Sequence, residues 1–173
     1  MLINRSDSGY ENQRVGIFVD VQNLYHSAKN LYHGRVNYRE LIKYLIGNRK
    51  LIRAVAYVVR SETAAGEASF FEALEKSGLE LRSKELQVYP DGLKKADWDI
   101  GMAVDAIRMA SFLDVVVLVT GDGDFMPLID YLKWGLGRFV EVAAFRRSAS
   151  AKIQEAADRF VNIEEIPRII IKK

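Results

Sequence analysis

The stretch Val115-Val116-Val117-Leu118-Val119-Thr120-Gly121-Asp122-Gly123-Asp124-Phe125 decides the reading of this chain. Five apolar residues, four of them β-branched, read as a strand. The run is continuous where a half-wet strand would alternate, so both faces are expected to be covered by helices, as in a parallel sheet. Two glycines then allow a tight backbone, and two carboxylates leave the strand before a helical pattern begins at Phe125.

Working outward, Val15 to Val19, Leu51 to Val59 and Phe139 to Ala144 share this composition and read as further strands. Helical patterns fall between and after them, over Gln22 to Leu31, Tyr38 to Ile46, Gly66 to Ser77, a stretch ending near Phe112, Phe125 to Trp134 and Ser150 to Asp158. Strands and helices taking turns predict an α/β fold, a three-layer α/β/α sandwich around a mainly parallel sheet. Leu79 to Lys84 and Phe160 to Ile163 are expected to add edge strands, and Tyr89-Pro90-Asp91-Gly92 is a turn. Ser148 or Ser150 is expected to cap the last helix.

With 173 residues one domain is expected, taken as 14–166 between a loose polar segment, 1–13, and an apolar tail, 167–173, that reads as an edge strand or a partner contact. Hydrophobic residues at 49% and charged residues at 28% place it among globular chains. The absence of cysteine excludes disulfides, thiolate zinc sites and cysteine nucleophiles together, and leaves metal binding to oxygen or imidazole. Of the two histidines, His26 and His33, neither is given a catalytic role; both read as surface residues. No apolar run approaches the roughly 18 residues of a membrane span, so a cytoplasmic location is expected, with no membrane partner. A net charge of +2 and a pI near 8.8 point only weakly toward polyanions.

In open α/β sheets ligands bind beyond the carboxyl ends of the strands, and here those ends are acidic. Ile17-Phe18-Val19-Asp20 is followed by Val21-Gln22-Asn23, and the later strand by Asp122 and Asp124. A further supply lies in Ala96-Asp97-Trp98-Asp99-Ile100-Gly101-Met102-Ala103-Val104-Asp105. Asp97, Gly101 and Asp105 lie near one helical face, although a rise of about 12 Å over eight residues separates the two acids unless Asp97 precedes the helix. Carboxylates packed together repel one another unless a cation joins them. Oxygen ligands favour Mg²⁺ or Mn²⁺, and with it chemistry on phosphodiesters. The bland alternative is that Asp20 and Asp124 cap the helices that follow them.

Together, Ile17 to Asn23, Ala96 to Asp105 and Val119-Thr120-Gly121-Asp122-Gly123-Asp124-Phe125 resemble the NYN domains of the LabA-like group, within the PIN-like nuclease superfamily. The resemblance runs from about Val15 to Ile163 and implies a Rossmann-like sandwich holding a metal in an acidic cluster. It implies Asp20, Asp97, Asp122 and Asp124 as metal ligands with Asn23 beside them, and Asp105 as the acid in the helix ahead of the Thr-Gly-Asp strand. Asp99 matches a position often acidic in the group and stands outside the expected ligand set.

Lys94, Lys95, Arg146 and Arg147 are candidates for holding phosphates, and Trp98 for stacking on an unpaired base; solvated basic pairs and a core indole are the bland alternatives. The expected function is a divalent-metal-dependent ribonuclease in which Asp20, Asp97, Asp105, Asp122 and Asp124 act on RNA, taken as single-stranded. The alternative is a non-catalytic or regulatory module that binds RNA or a protein partner. A homodimer stays open. A receiver-like domain fits less well, because Ala143-Ala144-Phe145 stands where a receiver needs its lysine.

Overall fold

The apolar runs pair side by side. In the computed structural model, which describes residues 10–61, 65–92, the backbone of 94–95, and 97–172, the order is β1 (Arg14–Asp20), α1 (Val21–Tyr32), β2 (Gly34–Val36), α2 (Tyr38–Ile46), β3 (Lys50–Arg60), α3 (Glu67–Lys76), β4 (Glu80–Glu85), β5 (Gln87–Val88), β6 (Lys94–Lys95), α4 (Asp99–Met109), β7 (Val115–Val119), α5 (Met126–Asp130), β8 (Phe139–Ala144), α6 (Ala151–Ala156), β9 (Arg159–Asn162) and β10 (Ile170–Lys172). Six strands form the central sheet in the order β4-β3-β1-β7-β8-β9. Every pairing within it is parallel, so all carboxyl ends share one edge.

Period-two alternation sorts the strand side chains onto two buried faces. Val15, Ile17 and Val19 of β1, Ala54, Ala56 and Val58 of β3, and Val115, Val117 and Val119 of β7 pack with the apolar sides of α1, α2 and α3. Phe18, Val55, Tyr57, Val116, Leu118, Val140 and Val142 face the other way, onto Met102, Ala106 and Met109 of α4 and Leu128 and Ile129 of α5. Both faces of β1, β7 and β8 are thus dry, as continuous apolar strands require. A buried exception is Glu141 in the middle of β8, 1% exposed, whose carboxylate takes two hydrogen bonds from Arg49 at 2.7 and 3.1 Å. Arg49 also donates to the carbonyls of Leu45 and Ile46, which end α2, so one guanidinium ties that helix to the sheet.

The expected edge strands are found as β4 and β9, at the two ends of the sheet. The tail, read as an edge strand or a partner contact, forms the short strand β10 antiparallel to β2, and β2 is a three-residue strand that local composition did not single out. A small antiparallel hairpin, β5 with β6, flanks the turn closed by Gly92 N–H on the Tyr89 carbonyl at 2.9 Å. Lys94 and Lys95 therefore lie on a strand. The pattern over Phe125 to Trp134 divides into a 3₁₀ turn (Gly123–Phe125), α5 and a π-helical turn (Tyr131–Gly135). Ser150 stands at the N-cap of α6 without a side-chain capping bond. Ser148 instead donates to Ser27 Oγ at 2.9 Å. Of the expected loose segment 1–13, residues 1–9 lie outside the described residues. Among the described residues no helix is long and apolar enough to cross a membrane.

Candidate active site

The strand order reverses at β1, with β3 on one side and β7 on the other. That switch point is where ligands bind in open α/β sheets. Asp20 ends β1, and Thr120-Gly121-Asp122 follows β7.

Hydrogen bonds join the two strand ends. Thr120, 1% exposed, donates from Oγ1 to Asp20 Oδ2 at 3.0 Å and accepts from the Asp122 N–H at 3.2 Å. Asp20 Oδ1 accepts from the Asn23 N–H at 3.2 Å, capping α1. Asn23 Oδ1 in turn accepts from the Gly121 N–H at 2.9 Å. Asp122 Oδ1 accepts from the Asp124 N–H at 2.9 Å, which folds the 3₁₀ turn and sets both carboxylates on one side.

Gly121 and Gly123 serve close approach here, and neither has a positive φ. A Cβ on Gly121 would meet Ala149 Cα at 3.1 Å, and one on Gly123 would meet Ser150 Oγ at 2.9 Å. The segment after β8 thus lies against the acidic turn, and the Ser150 N–H donates to the Gly121 carbonyl at 2.9 Å.

The third acid of the cluster is Asp99. One carboxylate oxygen from each of Asp99, Asp122 and Asp124 lies within 4.8 Å of the others. Asp99 opens α4, which starts here because Trp98 turns inward: its Nε1 donates to the Val58 carbonyl at 2.8 Å, its ring meets Tyr57 edge-on with centroids 5.5 Å apart, and Gly101 leaves the space that ring fills. Burial, then the charges of Asp122, Asp20, Asp97 and Asp124, push the Asp99 carboxyl up to about 6. Asp20 is raised as well, first by burial and then by Asp122 and Asp97, against the pull of its donors Asn23 and Thr120.

The acids expected as ligands do not all meet at one point. Asp122 and Asp124 come together as expected, with Asp99 as the third member. Asp20 adjoins them and caps α1. Asp97 precedes α4 and is exposed, and its carbonyl accepts from Lys84 Nζ at 3.2 Å. Asp105 is not brought to the cluster. It is 4% exposed and takes two hydrogen bonds from Arg82, both at 2.8 Å, and one from the Tyr57 hydroxyl at 2.9 Å. Burial acts to raise its carboxyl, and these donors outweigh burial and hold it below the ordinary range. A group paired in this way fixes α4 to the sheet.

The indole of Trp98, expected as a stacking platform, is half-buried and packs edge-on with Tyr57, with Lys84 Nζ over its ring. Arg146 and Arg147 follow β8 at the same sheet edge; Arg147 pairs with Glu164 at 2.9 Å, and Arg146 lies over Phe160. The side chains of Lys94 and Lys95 lie outside the described residues.

The signal for Asp99 was in the helical period. Met102, Ala106 and Met109 form the buried stripe of α4, and Asp99 lies three residues before Met102, one turn up the same stripe, where the stripe leaves the sheet. Thr120 had no comparable local signal, since its partners come from another strand.

A family model for the NYN domain matches residues 14–164. The chain belongs to the NYN domain family. A relative of this NYN chain is the low amplitude and bright protein LabA of Synechococcus elongatus, 24% identical over 167 residues, covering 92% of this chain and 88% of that protein. A crystal structure of a protein of unknown function from Vibrio parahaemolyticus superposes with a TM-score of 0.85 at 30% identity, over 97% of this chain and all of that one. The parallel sheet flanked by helices matches the PIN-like class expected from the sequence.

Proposed function

We propose that this NYN chain is a divalent-metal-dependent ribonuclease acting on single-stranded RNA at the carboxyl edge of its sheet. The observation that carries the proposal is the meeting of Asp99, Asp122 and Asp124 within 4.8 Å beside the switch point.

The donor set fits a hard cation. All three donors are carboxylate oxygens, the chain has no cysteine to offer a thiolate, and the Asp99 carboxyl is raised first by burial and then by neighbouring carboxylates whose repulsion a cation would relieve. Asp99, Asp122 and Asp124 would hold Mg²⁺ or Mn²⁺, which when bound supplies Lewis-acid polarisation of a phosphate oxygen and a lowered pKa for water.

The chain's own contributions are positional. Thr120 and Asn23 lock the ends of β1 and β7 together, so that Asp122 is presented by a backbone with no slack. The Asp20 carboxyl, held above its usual range, adds negative charge next to the cluster and is placed to accept a proton. Asp97, exposed at the mouth, adjoins the same cluster. Arg146 and Arg147, which follow β8 at the same sheet edge, would meet the flanking phosphates of a bound strand, and engaging them requires Arg147 to exchange Glu164 for phosphate.

Metal-dependent cleavage of an end-labelled single-stranded RNA by the wild-type chain, lost in Asp122→Asn, is the test. RNA binding without turnover, retained in Asp122→Asn, supports the binding-module alternative.

A further inference from the structure

Away from the acidic edge, the layer that contains α4 leaves part of the sheet uncovered. Arg53 and Val55 of β3 project on the same face as Glu80 and Arg82 of β4, because Val55 pairs with Glu80 and Tyr57 with Arg82. Between these side chains and the second half of α4 lies a cavity of about 400 Å³, within the size range of small-ligand pockets. We infer that this cavity is a binding site for a phosphomonoester carried on a nucleoside, separate from the acidic cluster.

Three guanidiniums converge on the cavity, from Arg53, Arg82 and Arg108, against two carboxylates, Glu80 and Asp105. Each guanidinium carries five N–H donors, and the pairings leave a surplus. Arg53 gives Glu80 a bond from Nε at 2.5 Å, and Arg82 gives Asp105 bonds from Nε and Nη2. Arg108 reaches Asp105 only at 3.9 Å, and its side chain is 72% exposed. Such an array of planar forks suits a phosphate's oxygens.

The remaining wall is apolar. Met109 and Phe112, the latter 39% exposed, stand across from Val55. An exposed phenyl ring beside arginines is a surface on which a base stacks, and a bare anion would leave it unused. The cavity lies on the far half of α4: Arg108 is nine residues beyond Asp99, about 14 Å along the helix. A dianionic ligand there avoids the carboxylates at the helix start.

The test is calorimetric titration of the wild-type chain, in excess EDTA, with the 5′-monophosphates of adenosine, guanosine, cytidine and uridine, and with adenosine and inorganic phosphate as controls. EDTA removes any route through a cation at the acidic cluster. At least one monophosphate is expected to bind more tightly than both controls. Affinity should fall about tenfold or more in Arg108→Gln and in Phe112→Ala, both exposed positions, and stay unchanged in Asp122→Asn. A 5′-phosphorylated single-stranded octanucleotide that competes, where its 5′-hydroxyl counterpart does not, identifies a strand end as the source; failure of both to compete identifies the free nucleotide. No binding at millimolar monophosphate, phosphate alone binding equally well, or loss of binding in Asp122→Asn with Arg108→Gln unaffected would each overturn the inference.

Discussion

The hydroxyl of Thr120 donates to Asp20 Oδ2 at 3.0 Å, across the seam between β1 and β7, and this bond holds the two halves of the acidic edge in register. Thr120→Val keeps the shape and deletes the donor. The chain should lose about 1–2 kcal/mol of stability at neutral pH. The Asp20 carboxyl, already raised by burial, should move further up, because the lost bond favoured the charged form. Denaturant melts and carboxyl titration by NMR check both, and an Asp20 titration unmoved by the substitution would show that the bond is not formed in solution.

Asp99 contributes to the pH response of the metal-free chain. Between the ordinary carboxylate pKa near 3.9 and about 6, the folded chain keeps a proton that the unfolded chain has released. Stability from this group therefore falls as pH rises through that window. Asp99→Asn should remove that slope and raise the melting temperature at pH 7. Mn²⁺ competes with the same proton, so its stabilisation of the wild type should grow as pH rises through about 6. Melting curves at pH 5, 6 and 7, with and without Mn²⁺, decide; the same pH slope in both proteins would refute the assignment.

Asp105 has the opposite sign. Its carboxyl is held below the ordinary range by Arg82 and Tyr57 against the effect of burial, so its contribution is present above about pH 4 and is lost as pH falls through its lowered value. Asp105→Ala should cost roughly 2–4 kcal/mol, leaving the Tyr57 hydroxyl unpaired. Any cleavage activity should survive in the fraction that folds. Abolished turnover in a fully folded Asp105→Asn chain would restore this residue to the chemistry.

Gly121 is a packing requirement. A methyl there meets the main chain of Ala149 at 3.1 Å, and the backbone cannot swing aside as a side chain can. Gly121→Ala should cost about 1–3 kcal/mol and weaken the stabilisation by Mn²⁺, because Asp122 shifts with the turn. Thermal melts with and without the ion test this, and an unchanged response to Mn²⁺ would contradict it.

The sheet was legible because parallel strands leave a local mark. Val115 to Val119 and Ala54 to Val58 are apolar on both faces and could be read without knowing their neighbours. Gly34–Val36 could not, since three residues with a central arginine carry no period, and the strand exists only because the tail pairs with it. Asp122 and Asp124 were legible for the same reason as the strand they follow. Asp105 was misplaced because its partners Arg82 and Tyr57 lie 23 and 48 residues away, and no local pattern announces a side-chain pairing of that kind. Asp99 ranked below the other acids because the start of α4 is set by Trp98 reaching the Val58 carbonyl, again a long-range contact.

Single-turnover cleavage of an end-labelled single-stranded RNA, by wild type, Asp99→Asn and Asp122→Asn purified identically and assayed with Mn²⁺ and with EDTA, tests the central claim most directly. The wild type should cleave only with the ion, and each variant should be slower by about 100-fold or more while melting no lower than wild type. A wild-type chain that binds the RNA and leaves it intact with Mn²⁺ present, or variants that cleave as fast as wild type, would contradict the assignment of Asp99, Asp122 and Asp124 as the active centre.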